Sequence, residues 1–152
     1  MDYDTNLKVN PPLRTREDML ALREAVKTGI IDCIATHHFP QNIDNKVCEF
    51  EYAKNGMISL QTAFPVVNSI LPELSNETIC NIFSTNATHI FGIKDNKIEV
   101  GAEACLTLFN RNEEFVLTKE NNKSKSVNSP FFNTKLRGVV CGVLTKNNLY
   151  LN

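Results

Sequence analysis

The side chains of this chain best suited to metal or proton chemistry are three histidines, and two of them, His37 and His38, are adjacent. A neutral imidazole binds metal through either ring nitrogen, and its charge changes near neutral pH, so it also carries protons. The pair closes the apolar run Ile31-Asp32-Cys33-Ile34-Ala35-Thr36 and precedes Phe39-Pro40-Gln41. A run apolar on both faces predicts a central parallel strand, and parallel α/β barrels present their catalytic groups at the C-terminal ends of such strands. Alternation puts Ile31, Cys33, Ala35 and His37 on one face and Ile34, Thr36 and His38 on the other. Small Cys33 and Ala35 suit a crowded barrel interior, which would leave His37 at the mouth and His38 turned toward the helix layer. Because adjacent strand residues face opposite ways, the pair taken alone describes a polar strand end more readily than a ligand set. A second polar site stands where Leu7-Lys8-Val9-Asn10 meets Pro11-Pro12-Leu13-Arg14. There a rigid turn can offer the Asn10 amide and the Arg14 guanidinium to a ligand. His89, inside a predicted helix, reads as a surface or capping residue.

The elements that must position these groups follow from periodicity and punctuation. Residues 7–10 are predicted to be a short strand that ends at the prolines, which cannot donate to a ladder. Thr15 is predicted to cap a helix with Asp18 at the capping-box position, Met19, Leu22 and Val26 on its apolar face, and Gly29 as its stop. With the strand 31–36 this makes a βαβ unit. The polar stretch 37–55 is long and irregular, a length that in compact domains usually marks function. After Gly56, Met57, Leu60, Phe64, Val67 and Leu71 follow helical spacing, with Pro65 expected to kink or divide the helix. Ser75 and Thr85 are predicted N-caps of two further helices. Beyond residue 92 the pattern changes to short β-type runs at 97–100, 105–109, 114–117, 136–144 and 149–151. The Lys/Asn/Ser-rich stretch 119–126 between them reads as a solvated loop. The chain thus divides into 1–92, a βα part, and 93–152, a β-rich part.

Composition limits the partners. Sixteen basic and seventeen acidic side chains nearly cancel, so neither nucleic acid nor a polybasic membrane contact is expected. No apolar stretch reaches the length of a membrane span. The N-terminus lacks the charged and apolar regions of a signal peptide. Five scattered cysteines with no C-x-x-C pair predict reduced, mostly buried thiols in a cytoplasmic protein.

Six segments, in order, resemble the dihydroorotase branch of the cyclic amidohydrolases. Lys8-Val9-Asn10-Pro11-Pro12-Leu13-Arg14 carries its pattern, and Ile31 to Gln41 resembles I-D-x-I-A-T-D-H-A-P-H. Ala53 to Thr62 resembles A-x-x-G-x-x-G-L-E-T, and Ser84 to Gly92 a helix reading N-P-A-x-x-x-G. Val100 to Leu106 resembles G-A-D-A-D-L, and Ser129 to Val140 the closing strands. The resemblance implies an α/β fold: the C-terminal part of a (β/α)8 amidohydrolase barrel, about the last two βα units, plus C-terminal strands of a small composite β domain. It implies a hydrolase that interconverts carbamoyl-aspartate and dihydroorotate in pyrimidine synthesis, using a hydroxide activated by one or two zinc ions. By the same analogy His37 stands where an aspartate touches the metal and shuttles the proton. Asn10, Gln41 and the backbone N–H of Gly56 would hold substrate.

Two departures fall in that site: His37 replaces the aspartate, and Gln41 replaces a substrate-binding histidine. Imidazole can act as base or ligand, but Gln41 offers no cation to a substrate carboxylate. A whole barrel takes about 250 residues, and the family's H-x-H metal motif has no counterpart here. The chain is therefore expected to be a partial product with an incomplete active site, inactive alone and prone to self-association through exposed ladder groups. The resemblance also covers inactive members that assemble with aspartate transcarbamoylase, so a non-catalytic scaffold is the alternative. A small α+β binding domain, unrelated in function, is a third reading.

Overall fold

A computed structural model describes residues 3–94, 97–146 and 148–152. The chain forms two compact units, each drawn from three stretches of sequence. The first comprises Met1–Ala21, Thr36–Ala63 and Val116–Lys135, and the second Leu22–Ala35, Phe64–Phe115 and Leu136–Asn152.

Helix α1, Arg16–Lys27, starts as predicted. The Thr15 hydroxyl accepts from the Asp18 N–H at 3.2 Å, and the Asp18 carboxylate accepts from the Thr15 N–H at 3.2 Å. This reciprocal box satisfies two donors that the helix itself cannot. Gly29 ends the segment at φ 73°, where a side chain would be strained. Of the predicted apolar face only Val26 is buried; Met19 and Leu22 are exposed.

The second unit has the apolar core. Val26, Val67, Leu71, Leu74, Ile79 and Ile82 pack together, with Ile31, Ile34, Phe64, Phe83 and Phe109 against them. Each such side chain fully buried contributes about 1.5–3 kcal/mol. Helix α2, Ala63–Ile70, begins six residues later than its pattern does. Pro65 falls in its first turn, where a missing N–H leaves no bond unmade, so it starts the helix and does not kink it. Ser75 caps α3, Asn76–Cys80, by accepting from the Thr78 N–H at 3.0 Å. Thr85 caps nothing: it lies at φ −57°, ψ −50° inside continuous helix, in a wider turn over Asn81–Thr85 that leads directly into α4, Asn86–Ile90.

Strands β1 (Cys105–Val116), β2 (Lys135–Thr145) and β3 (Asn148–Leu151) form one sheet in the order β1-β2-β3. β2 and β3 are antiparallel, with Gly142 opposite Leu151 and Thr145 opposite Asn148. The two runs expected at 105–109 and 114–117 are a single strand. Its polar middle is tolerated because Arg111 finds acceptors: the Asn68 side-chain oxygen at 2.8 Å and the carbonyls of Leu74 and Pro72 at 2.6 and 3.2 Å.

Three predicted strands are absent among the described residues. Residues 31–36 are extended but unpaired, and the Ile34 N–H donates to the Ile82 carbonyl, not to a neighbouring strand. Residues 7–10 follow a 3-10 turn, Thr5–Leu7, capped by Asp4, and residues 97–100 find no ladder partner.

Candidate functional site

Asn10, His37, Gln41 and Gly56 lie in the first unit; His37 and Gln41 are on one and Gly56 on the other of two chain segments that run side by side, and Asn10 is on a third. The Phe39 N–H donates to the Met57 carbonyl at 2.8 Å, and His38 and Met57 form a parallel bridge. The Ser59 hydroxyl donates to the Thr36 carbonyl at 2.7 Å. These contacts tie the segment after the unpaired run to the turn that precedes α2.

The two histidines separate in role. His37 is exposed at φ 45°, and its ring lies parallel to Phe39 with centroids 6.3 Å apart. His38 is half-buried, and its Nδ1 accepts from the N–H groups of Ser59 and Leu60 at 3.0 and 3.2 Å. An acceptor Nδ1 puts the proton on Nε2, a tautomer assigned from the bonding pattern. His38 therefore organises the turn entering α2, and His37 is the imidazole free to meet a ligand.

Gln41 is held at three atoms. Its N–H donates to the Asn128 Oδ1 at 3.2 Å, its Nε2 to the Asn55 carbonyl at 2.8 Å, and its Oε1 accepts from the Asn45 Nδ2 at 3.1 Å. Gly56 is buried at φ 125°, and a Cβ there would lie 2.6 Å from the Phe39 ring and 2.7 Å from the Phe39 carbonyl oxygen. Only glycine fits. The Gly56 N–H, expected to face substrate, donates to the Lys8 carbonyl at 2.9 Å. Asn10 is exposed and borders a recess of about 470 Å³ with Tyr3, Leu7, Leu13 and Phe50. Gln41 borders a second recess of about 500 Å³ with Phe39 and Lys54. Lys8 and Asn55 line both, and His37 lines neither.

Two lysines fasten the irregular loop. Lys46, 6% exposed, donates from Nζ to the carbonyls of Thr5 and Lys54 at 2.9 and 2.8 Å. Burial lowers its pKa from the ordinary 10.5, opposed by the Asp4 carboxylate. Lys8 donates to the Phe50 and Glu51 carbonyls at 2.9 and 2.7 Å.

The residue that sequence reasoning missed is Asn128, 3% exposed. Its Nδ2 donates to the Phe39 and Gly56 carbonyls, both at 3.1 Å, its Oδ1 accepts from Gln41, and its carbonyl accepts from the Ile58 N–H at 2.9 Å. The only local signal was an asparagine before Ser-Pro at the end of a polar stretch, a common turn signature. That stretch is solvent-facing as predicted, yet fixed: Gln61 donates to the Asn121 carbonyl and accepts from the Lys123 N–H.

Among the described residues no three His, Cys, Asp or Glu side chains gather as a metal set. Zinc coordinated by nitrogen, sulfur or oxygen takes three or four protein ligands, so this chain's described residues do not by themselves fit it. All five cysteines are free, and no helix of the described residues is long and apolar enough to cross a membrane.

No family model matches the chain. Its fold is similar to that of D-hydantoinase from a Bacillus species, with a TM-score of 0.84 and 24% identity over 97% of this chain and 34% of that one. It is also similar to the inactive dihydroorotase-like domain of a CAD-like multifunctional protein from Chaetomium thermophilum, with a TM-score of 0.63 and 22% identity over 90% and 36% of the two chains. The chain thus shares its fold with part of those solved chains: a small mixed α/β arrangement with a three-stranded sheet. In sequence it is 45% identical over 142 residues to the dihydroorotase of Caldanaerobacter subterraneus, covering 91% of this chain and 33% of that protein. In sequence the chain is thus similar to the C-terminal portion of the dihydroorotases. It spans about a third of the length of the curated relatives it matches.

Proposed function

We propose that this chain is the C-terminal part of a dihydroorotase-type hydrolase that interconverts carbamoyl-aspartate and dihydroorotate in the pyrimidine synthesis of the cytoplasm. The observation that carries this reading is its 45% identity to a dihydroorotase along 91% of the chain. Residues 1–92 supply about the last two βα units of the barrel and 93–152 the C-terminal strands of the small β domain. His37, exposed and unencumbered at both ring nitrogens by any hydrogen bond described above, is the proton carrier. Asn10 and Gln41 border the recesses that receive substrate, and the Gly56 backbone shapes the wall between Phe39 and Lys8. In the complete enzyme zinc would activate a hydroxide; His37 would contribute one ligand at most, and the remaining ligands would come from other residues.

The test is dihydroorotate ring opening by the complete protein with added zinc, beside His37→Ala and His37→Asp. Turnover that falls by about 10²–10⁴-fold in His37→Ala supports the proton-carrier role. Turnover indifferent to that change would remove His37 from the site. A complete protein that neither turns over nor gains activity with aspartate would support the second reading, a non-catalytic scaffold for aspartate transcarbamoylase. That reading is favoured by one observation: both ends of the Gln41 amide are engaged within its own loop. Self-association of the isolated chain is proposed from strand β3, where Leu149, Tyr150 and Leu151 are 55–70% exposed on a sheet edge. Light scattering should then give a mass above one chain at micromolar concentration; a monomer would refute it.

A further inference from the structure

We propose that Asn128 is a positioning residue of the site, acting through the two segments that carry His37, Gln41 and Gly56; its effect on ligand binding rests on the function proposed above. The geometry is specific. One buried carboxamide takes the N–H of Gln41 and donates to the carbonyls of Phe39 and Gly56, so it clamps three peptide units from two segments that lie 72 to 89 residues away in sequence. Its own carbonyl takes the Ile58 N–H. Neither segment has a strand ladder to hold it: a single bridge joins them, at His38 and Met57. The clamp does by side chain what a ladder would do by backbone. It comes from the polar stretch after β1, which the Gln61 amide fastens at Asn121 and Lys123, so that stretch is a fixed buttress of the site.

Removing the carboxamide takes this partner from the buried Gly56 carbonyl, the half-buried Phe39 carbonyl and the Gln41 N–H, and Phe39 and Gln41 lose the contact that fixes the loop beside His37. A purely structural asparagine would loosen the whole fold; a positioning residue should disturb these segments first. The second unit holds a matched control. Asn68, 4% exposed, donates to the Arg111 and Arg137 carbonyls at 3.0 and 2.8 Å and accepts from the Arg111 guanidinium.

The experiment compares Asn128→Ala, Asn128→Asp and Asn68→Ala. Asn128→Asp keeps size and the acceptor for Gln41 but loses both donors, and so serves if the alanine variant does not fold. Amide hydrogen exchange on this chain is read first, because it needs no ligand. Exchange about tenfold faster at the amides of residues 39, 41 and 56–58 in either Asn128 variant, with the second unit still protected, supports the proposal. Uniform loosening of both units, or no change at 39, 41 and 56–58, overturns it. If the complete protein turns over dihydroorotate, an Asn128 variant should raise KM about tenfold with kcat within about twofold, and Asn68→Ala should leave KM unchanged. Equal effects of both asparagines on KM would also overturn it. If the native protein shows no turnover, the proposed function fails, and exchange alone decides the clamp.

Discussion

The two units are built by opposite means. The second has the apolar cluster of Val26, Val67, Leu71, Leu74, Ile79 and Ile82, and the longest strands. The first has little regular structure; what fixes it is a set of side chains bonded to backbone: Asn128, His38, Gln41, Lys8 and Lys46. The difference follows from what each must do. Irregular backbone cannot satisfy its own N–H and C=O groups, so buried carboxamides, an imidazole and ammonium groups must do so. Such a loop can present His37 outward at a conformation no helix or ladder would allow. An apolar core gives stability without directing any polar group; a polar clamp gives direction with less stability.

The largest effect should therefore come from the second unit. Ile82 is 2% exposed in the cluster, and Ile82→Ala should cost about 2–5 kcal/mol, read as a lowered urea midpoint with unchanged slope. A loss below about 1 kcal/mol would mean that the apolar cluster does not carry this unit, and the contrast would fail.

What could be read from sequence divides along the same line. The Thr15–Asp18 box, the Gly29 stop, the Ser75 cap and the strands after residue 104, though not the run at 97–100, were legible because local rules set them: a side chain three residues away, a positive φ, an alternating pattern. Of the apolar pattern at 57–71, Val67 and Leu71 are core for the same reason, whereas Leu60, ahead of the helix start, is exposed. The strand expected at 31–36 was not, because a ladder needs a neighbour and Ile34 bonds to a helix carbonyl instead. Pro65 and Thr85 were misplaced because their roles depend on where helices start: α2 starts at Ala63, just after the His38 and Asn128 contacts at residues 58–60, and Thr85 lies inside helix that runs on from α3. In the site, the family pattern located residues 10, 37, 41 and 56 but gave no hint that the Gln41 amide and the Gly56 N–H have partners within the chain. Asn128 was silent for the strongest reason: its partners are 72 and more residues away, and no local pattern encodes a contact at that distance.

The smallest effect, and the one that most sharpens the contrast, concerns Lys46. Its ammonium is desolvated among backbone carbonyls, so its folded pKa lies below the ordinary 10.5, with Lys8 reinforcing the shift and Asp4 opposing it. Below the folded pKa both folded and unfolded chains hold the proton, and the folded state bears the full desolvation penalty. Between the folded pKa and 10.5 the unfolded chain holds a proton that the folded chain has lost, so stability rises with pH; above 10.5 the penalty is gone. The neutral amine still has two N–H groups for Thr5 and Lys54, so the clamp survives deprotonation. The informative quantity is the difference between the native chain and Lys46→Met. Urea midpoints measured from neutral pH toward 10.5 should show the native chain gaining on the variant as pH rises. A difference flat with pH would mean that water reaches Lys46 freely, and the first unit would then be fastened at its surface and not from within.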